Sequence, residues 1–114
     1  MDCKDNICAT VNSLTSLGYT IHCGKSILEP TQEIEFLGFI LNSKNMTIAI
    51  THKKKAKIAS LCENILALPT PTIRLLSKLI GNVVATEEAF PLAPLHYRPM
   101  ELNKIEALKQ SKGN

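Results

Sequence analysis

Apolar positions recur along this chain with helical spacing in some stretches and strand spacing in others, and the alternation predicts the element order. Ile7, Val11, Leu14 and Leu17 fall on one helical face, and Asp5 or Asn6 is placed to cap the start of such a helix. Gly18 stands where a helix ends in the left-handed conformation. Tyr19-Thr20-Ile21 and Ser26-Ile27-Leu28 read as short extended segments around Cys23-Gly24-Lys25, and Pro30 interrupts the chain. Ile34 to Leu41 is a nearly continuous apolar run, followed by the polar turn Asn42-Ser43-Lys44-Asn45 and the alternating Met46, Ile48 and Ile50. That pattern predicts a β-hairpin, with Gly38 marking a bulge or a close backbone approach within its first strand.

Beyond the hairpin the period becomes helical. Thr51 is placed to cap a helix whose apolar face is Ile58, Leu61, Cys62, Ile65 and Leu68. Pro69-Thr70-Pro71 stops it, and with Thr70 as cap and Pro71 in the first turn the next helix begins, burying Leu76, Leu79, Ile80 and Val83. Prolines at 91, 94 and 99 argue for an extended connector over 90–99 that carries Leu92, Leu95 and Tyr97. A last helix over 100–112, with Leu102, Ile105 and Leu108, frays toward Gly113. The fold class expected is α+β.

A chain of 114 residues with 45% hydrophobic and 20% charged residues is sized for one modest core, and its composition argues against wholesale disorder. Tryptophan is absent, so that core is aliphatic. Cys3, Cys8, Cys23 and Cys62 form no CxxC pair and have no histidine at zinc spacing, so free thiols in an intracellular, reducing setting are expected and no metal site is. No stretch has the length and apolarity of a membrane span. The net charge of +3 is compatible with phosphate contact without requiring it. Its distribution says more: Lys53, Lys54, Lys55 and Lys57, beside His52, crowd the start of a predicted helix, where cations oppose the macrodipole. Such a cluster is either a solvated face or an invitation to an anionic partner.

Leu17-Gly18-Tyr19-Thr20-Ile21-His22-Cys23-Gly24-Lys25-Ser26, then Pro30, then Glu35-Phe36-Leu37-Gly38-Phe39-Ile40 resembles, in order and spacing, motifs D and E of retroelement reverse transcriptases. Thr72-Ile73-Arg74, Leu79-Ile80-Gly81 and Pro94-Leu95-His96-Tyr97-Arg98 look like the thumb and connector of long-terminal-repeat-type elements, most like the DIRS group. The resemblance implies the C-terminal edge of a palm over 1–50, thumb-like helices over 51–89 and a connector with a frayed helix over 90–114.

It also implies site residues. Lys25 corresponds to the motif D lysine, a general acid toward departing pyrophosphate, for which an ammonium is suited because it neutralises charge and donates a proton. Phe36, Leu37, Gly38 and Phe39 correspond to the primer grip, a hairpin that acts by positioning the primer terminus. Lys53, Lys54, Lys55 and Lys57, with Arg74 on the following helix, correspond to a surface that tracks the backbone of an RNA-DNA or DNA template-primer, weakly, without sequence preference and with strong salt dependence. Read without the resemblance, the same residues are a loop lysine, an amphipathic hairpin and a solvated helix face. Polymerisation in the family needs aspartates that hold two magnesium ions. Neither aspartate motif occurs in these residues, and Asp2 and Asp5 have no tyrosine-led DD turn around them. The chain alone is therefore expected to bind no cofactor, magnesium belonging to the parent enzyme, and to be inactive. A retained nucleic-acid-binding module and an interaction protein that self-associates through exposed palm strands are the alternative readings.

Overall fold

The computed structural model describes residues 2–112. They form an α+β fold in the order α1 (Cys3–Ser16), a 3-10 turn (Cys23–Lys25), β1 (Glu33–Phe36), β2 (Phe39–Asn42), β3 (Thr47–Ile50), α2 (His52–Ala67), α3 (Ile73–Val84) and α4 (Ala93–Lys112). Two compact units divide between Gln32 and Glu33, so the strands that the sequence reading grouped with the first helix lie in the second unit.

In the first unit, α1 starts earlier than its apolar periodicity implies. Asp2, rather than Asp5 or Asn6, occupies the N-cap position, and its side chain makes no capping bond. Asp5 falls in the first turn, where a carboxylate favours the dipole. The C-terminus is as expected: Gly18 has φ +87°, its N–H donates to the Thr15 carbonyl at 3.0 Å and the Tyr19 N–H to that of Leu14 at 3.0 Å. This paired closure satisfies two terminal carbonyls at the position where glycine carries no steric penalty. Neither Tyr19–Ile21 nor Ser26–Leu28 becomes a strand. Each is too short to form a ladder alone, and the chain between them tightens into the 3-10 turn, with the Lys25 N–H bonded to the His22 carbonyl at 3.0 Å. Ile7, Val11 and Leu14 face Ile21, Ile27 and Leu28 across an open cleft of about 530 Å³.

The second unit opens with an antiparallel meander, β1-β2-β3. The apolar run expected as a single strand is instead two strands joined at Leu37-Gly38. Both residues have positive φ, +52° and +79°, as the tight hairpin turns that match strand twist require. Gly38 is thus a turn residue rather than a bulge. At the other end of β2, Asn42 Oδ1 accepts from the Lys44 and Asn45 N–H groups, each at 3.0 Å, and Met46 is the left-handed residue, with φ +53°.

The pairing register places Ile34, Leu41 and Ile48 in one row and Phe36, Phe39 and Ile50 in the next. Because side chains alternate along a strand, all six share one face. The opposite face carries Glu33, Glu35, Ile40, Asn42, Thr47 and Ala49. No strand residue is fully buried.

Helix α2 begins directly on Thr51, whose hydroxyl accepts from the Lys54 N–H at 3.4 Å. The next cap is Thr72, which accepts from the Leu75 N–H at 3.3 Å, and not Thr70. Residues 69–72 are all exposed, so no burial rewards an earlier start. The core of the unit is Ile80, Ala93 and Tyr97, with Leu76, Val83 and Met100 packed against it.

That core corrects the expected extended connector, because α4 runs through both Pro94 and Pro99. Pro94 lies in the first turn, where no N–H is needed. Pro99 removes the partner of the Leu95 carbonyl, at a cost of about 3 kcal/mol. Leu95 is 72% exposed, so that carbonyl lies on the solvent side of the helix. Ala93, Tyr97 and Met100, spaced four and three apart on the other side, bury against α3 and offset the loss. Leu102, Ile105 and Leu108, the expected apolar stripe, are exposed. No helix of the described residues is long and apolar enough to cross a membrane.

Candidate nucleic-acid interface

The second unit brings two of the sequence-predicted features together. Ile50 ends β3, Thr51 caps α2 and His52 begins it, so no linker separates sheet from helix. The Thr51 N–H donates to the Gly38 carbonyl at 3.4 Å, and Thr51 is buried. One residue thus ties the β1-β2 turn to the first turn of α2.

A shallow cleft of about 240 Å³ results, lined by Glu35, Leu37, Gly38, Thr51 and the lysines 53, 54 and 57. Lys53 and Lys57 are four residues apart, share one face of α2 and are exposed. Leu37 stands at the tip of the turn with 77% of its surface exposed, flanked by Phe36 at 57%. An apolar tip beside paired ammonium groups can lie against a sugar or base while the lysines meet phosphate. The Glu35 carboxylate in the same cleft works against an anion. No acidic residue occupies the first turn of α2 to neutralise the lysines.

Lys54 is placed differently from its neighbours. It is half-buried, and its ammonium lies 4.3 Å from the centroid of the Phe39 ring and 3.5 Å from the Ala85 carbonyl oxygen. Lys55 is exposed outside the cleft, and Arg74 lies exposed in the first turn of α3, also outside it. Lys25 belongs to the first unit, where it ends the 3-10 turn with its side chain exposed. Thr51 and Glu35 are the cleft residues whose roles sequence reasoning missed. The direct succession of Ile50, the capping Thr51 and His52 was the signal for the first; Glu35 headed the motif E string, with nothing there to place it beside the lysines.

Asp2 and Asp5 stand exposed at the opening of α1, and among the described residues no three His, Cys, Asp or Glu side chains gather. All four cysteines are free. Compared with protein-family models, with curated proteins and with solved structures, the chain matches none.

Proposed function

We propose that this chain is the stretch of a retroelement reverse transcriptase that follows the catalytic aspartates, and that its part is to hold the backbone of a template-primer duplex rather than to perform chemistry. One observation carries the reading: an exposed leucine in the left-handed conformation, Leu37, at the tip of a turn that shares a cleft with Lys53 and Lys57. Stability alone favours Asn-Gly at such a turn and acidic residues at such a helix start. The chain departs from the first preference at Leu37, though not at Gly38, and from the second at Lys53 and Lys54; both departures suit a nucleic-acid partner.

The test is filter binding of an RNA-DNA hybrid across a salt series. Binding through Lys53 and Lys57 gives a negative slope, and each Lys→Gln change flattens it by about 0.9. Affinity equal to that of an unrelated protein of net charge +3, with a slope indifferent to these changes, sinks the proposal.

The apolar sheet face favours a second role. Phe36 at 57% and Ile48 at 44% exposure lie on the edge strands β1 and β3, and such edges pair with further strands. The proposed occupant is a second copy of the chain. Sedimentation should show concentration-dependent mass that Ile48→Lys abolishes; a constant monomer mass refutes it.

A further inference from the structure

The ammonium of Lys54 has close neighbours on three sides, and none is an anion. It stacks over the Phe39 ring at 4.3 Å. It approaches the carbonyl oxygen of Ala85, the C-cap of α3, at 3.5 Å, where the helix end carries partial negative charge. Its Nζ, Cδ and Cε lie 3.3, 3.6 and 3.6 Å from the point where a Cβ on residue 38 would stand. Glycine at 38 therefore serves two ends: it permits the positive φ and leaves room for the lysine. Any larger residue would press on the ammonium that sits over the ring.

We propose that Lys54 is a positioning residue, a cationic pin that fixes the Leu37-Gly38 turn against the start of α2 and the end of α3. Lys54 lines the same cleft as Lys53 and Lys57, but its ammonium is engaged by the Phe39 ring and the Ala85 carbonyl, which leaves the other two to meet a ligand. The functional consequence rests on the nucleic-acid reading above; the pin does not. A lysine that met phosphate would instead count in the salt dependence like its neighbours.

Two measurements on the full chain separate these roles. In proton NMR, the Lys54 ε-methylene resonance should be shifted upfield by the Phe39 ring current, and Phe39→Leu should return it to the usual lysine position. A resonance at the usual position in the unaltered chain overturns the pin. In hybrid binding, Lys54→Met keeps the long stem but removes the charge. It should weaken affinity about two- to fivefold, the fold-change that corresponds to losing one partly exposed cation–π contact, and leave the salt slope unchanged. Lys57→Gln should lower the slope by about one. Lys54→Arg, which retains a cation over the ring, should restore the affinity. A Lys54→Met slope that drops as Lys57→Gln does makes Lys54 a phosphate contact and overturns the proposal. If the unaltered chain does not bind hybrid, the nucleic-acid reading falls alone. The ring-current shift and faster exchange of the Thr51 amide, which donates to the Gly38 carbonyl, in Lys54→Met then decide for the pin, and their absence decides against it. Far-UV circular dichroism checks that Lys54→Met folds, and the Phe39→Leu comparison carries the test if it does not.

Discussion

Replacing Leu37 by Asn should make the protein more stable and a poorer ligand for nucleic acid. Leu37 has φ +52°, a conformation that costs an L-residue about 1–2 kcal/mol, whereas Asn visits it readily because its short polar side chain bonds locally. Against that gain stands the apolar contact Leu37 makes. It is 77% exposed, so roughly a quarter of a leucine's burial energy is at stake, about 0.5 kcal/mol. The net gain is about 0.5–1.5 kcal/mol, worth about 2–12 °C in melting temperature for a unit of this size. Urea titration followed by circular dichroism reads the gain. Hybrid binding should fall about tenfold if the exposed part of Leu37 is what the duplex covers. Met46→Asn is the control: φ +53° and 86% exposure predict a similar gain in stability, but Met46 lies at the opposite end of β2 and its loss should leave binding unchanged. An unchanged or lower urea midpoint for Leu37→Asn refutes the strain argument. Equal effects of the two substitutions on binding refute the placement of the interface.

Thr51→Ala removes the cap of α2 and should lower stability by about 1 kcal/mol in urea titration, and exchange of the residue 51 amide, which donates to the Gly38 carbonyl, should quicken. Ile80→Ala, at a position 4% exposed in the α3-α4 core, should cost about 2–5 kcal/mol; a loss below 1 kcal/mol would mean that the core packs elsewhere. The Tyr97 hydroxyl donates to the Glu87 carboxylate, and that bond, with desolvation and the nearby negative charge, raises the tyrosine pKa. A raised folded-state value means that the stabilisation is complete below the unfolded pKa of about 10 and is lost as pH rises through the folded value. Urea midpoints should therefore decline above that pH, and Tyr97→Phe should remove this part of the decline; an identical alkaline profile in the variant would count against the bond.

Local chemistry was legible in the sequence where one residue decided the outcome. Gly18 closed α1, Thr51 capped α2, and Leu76, Leu79, Ile80 and Val83 announced the buried face of α3. The misses came where a local rule was outweighed. Leu37 hid a two-residue turn inside an apolar run because it stands where Asn, Asp or Gly usually precedes the turn glycine. Pro99 argued against a helix that Ala93, Tyr97 and Met100 hold in place by packing, and their spacing was visible across the prolines. At the candidate interface the lysines were legible and the β1-β2 turn was not, although the absence of a linker at Thr51 implied that sheet and helix start adjoin. The separate role of Lys54 was not legible either, because it depends on Ala85, 31 residues away.

Two departures from local preference, a strained leucine at a turn and cations at a helix start, would each be unremarked alone. Met46 shows that a strained apolar turn residue occurs in this sheet away from the start of α2. What distinguishes Leu37 is the company it keeps: Thr51 bonds the turn to the helix, and Lys53 and Lys57 line the same cleft. Sequences that specify a fold agree across levels, and clustered disagreements are where function is to be sought. The lysines sharpen this into a measurable opposition. Lys53→Glu should stabilise α2 by about 0.3–1 kcal/mol through the helix dipole while reversing the charge a duplex would meet. If stability rises and hybrid affinity falls together, the cationic start of α2 is kept for binding; if stability rises and affinity does not move, the lysines are a solvated face and the cleft has no nucleic-acid role.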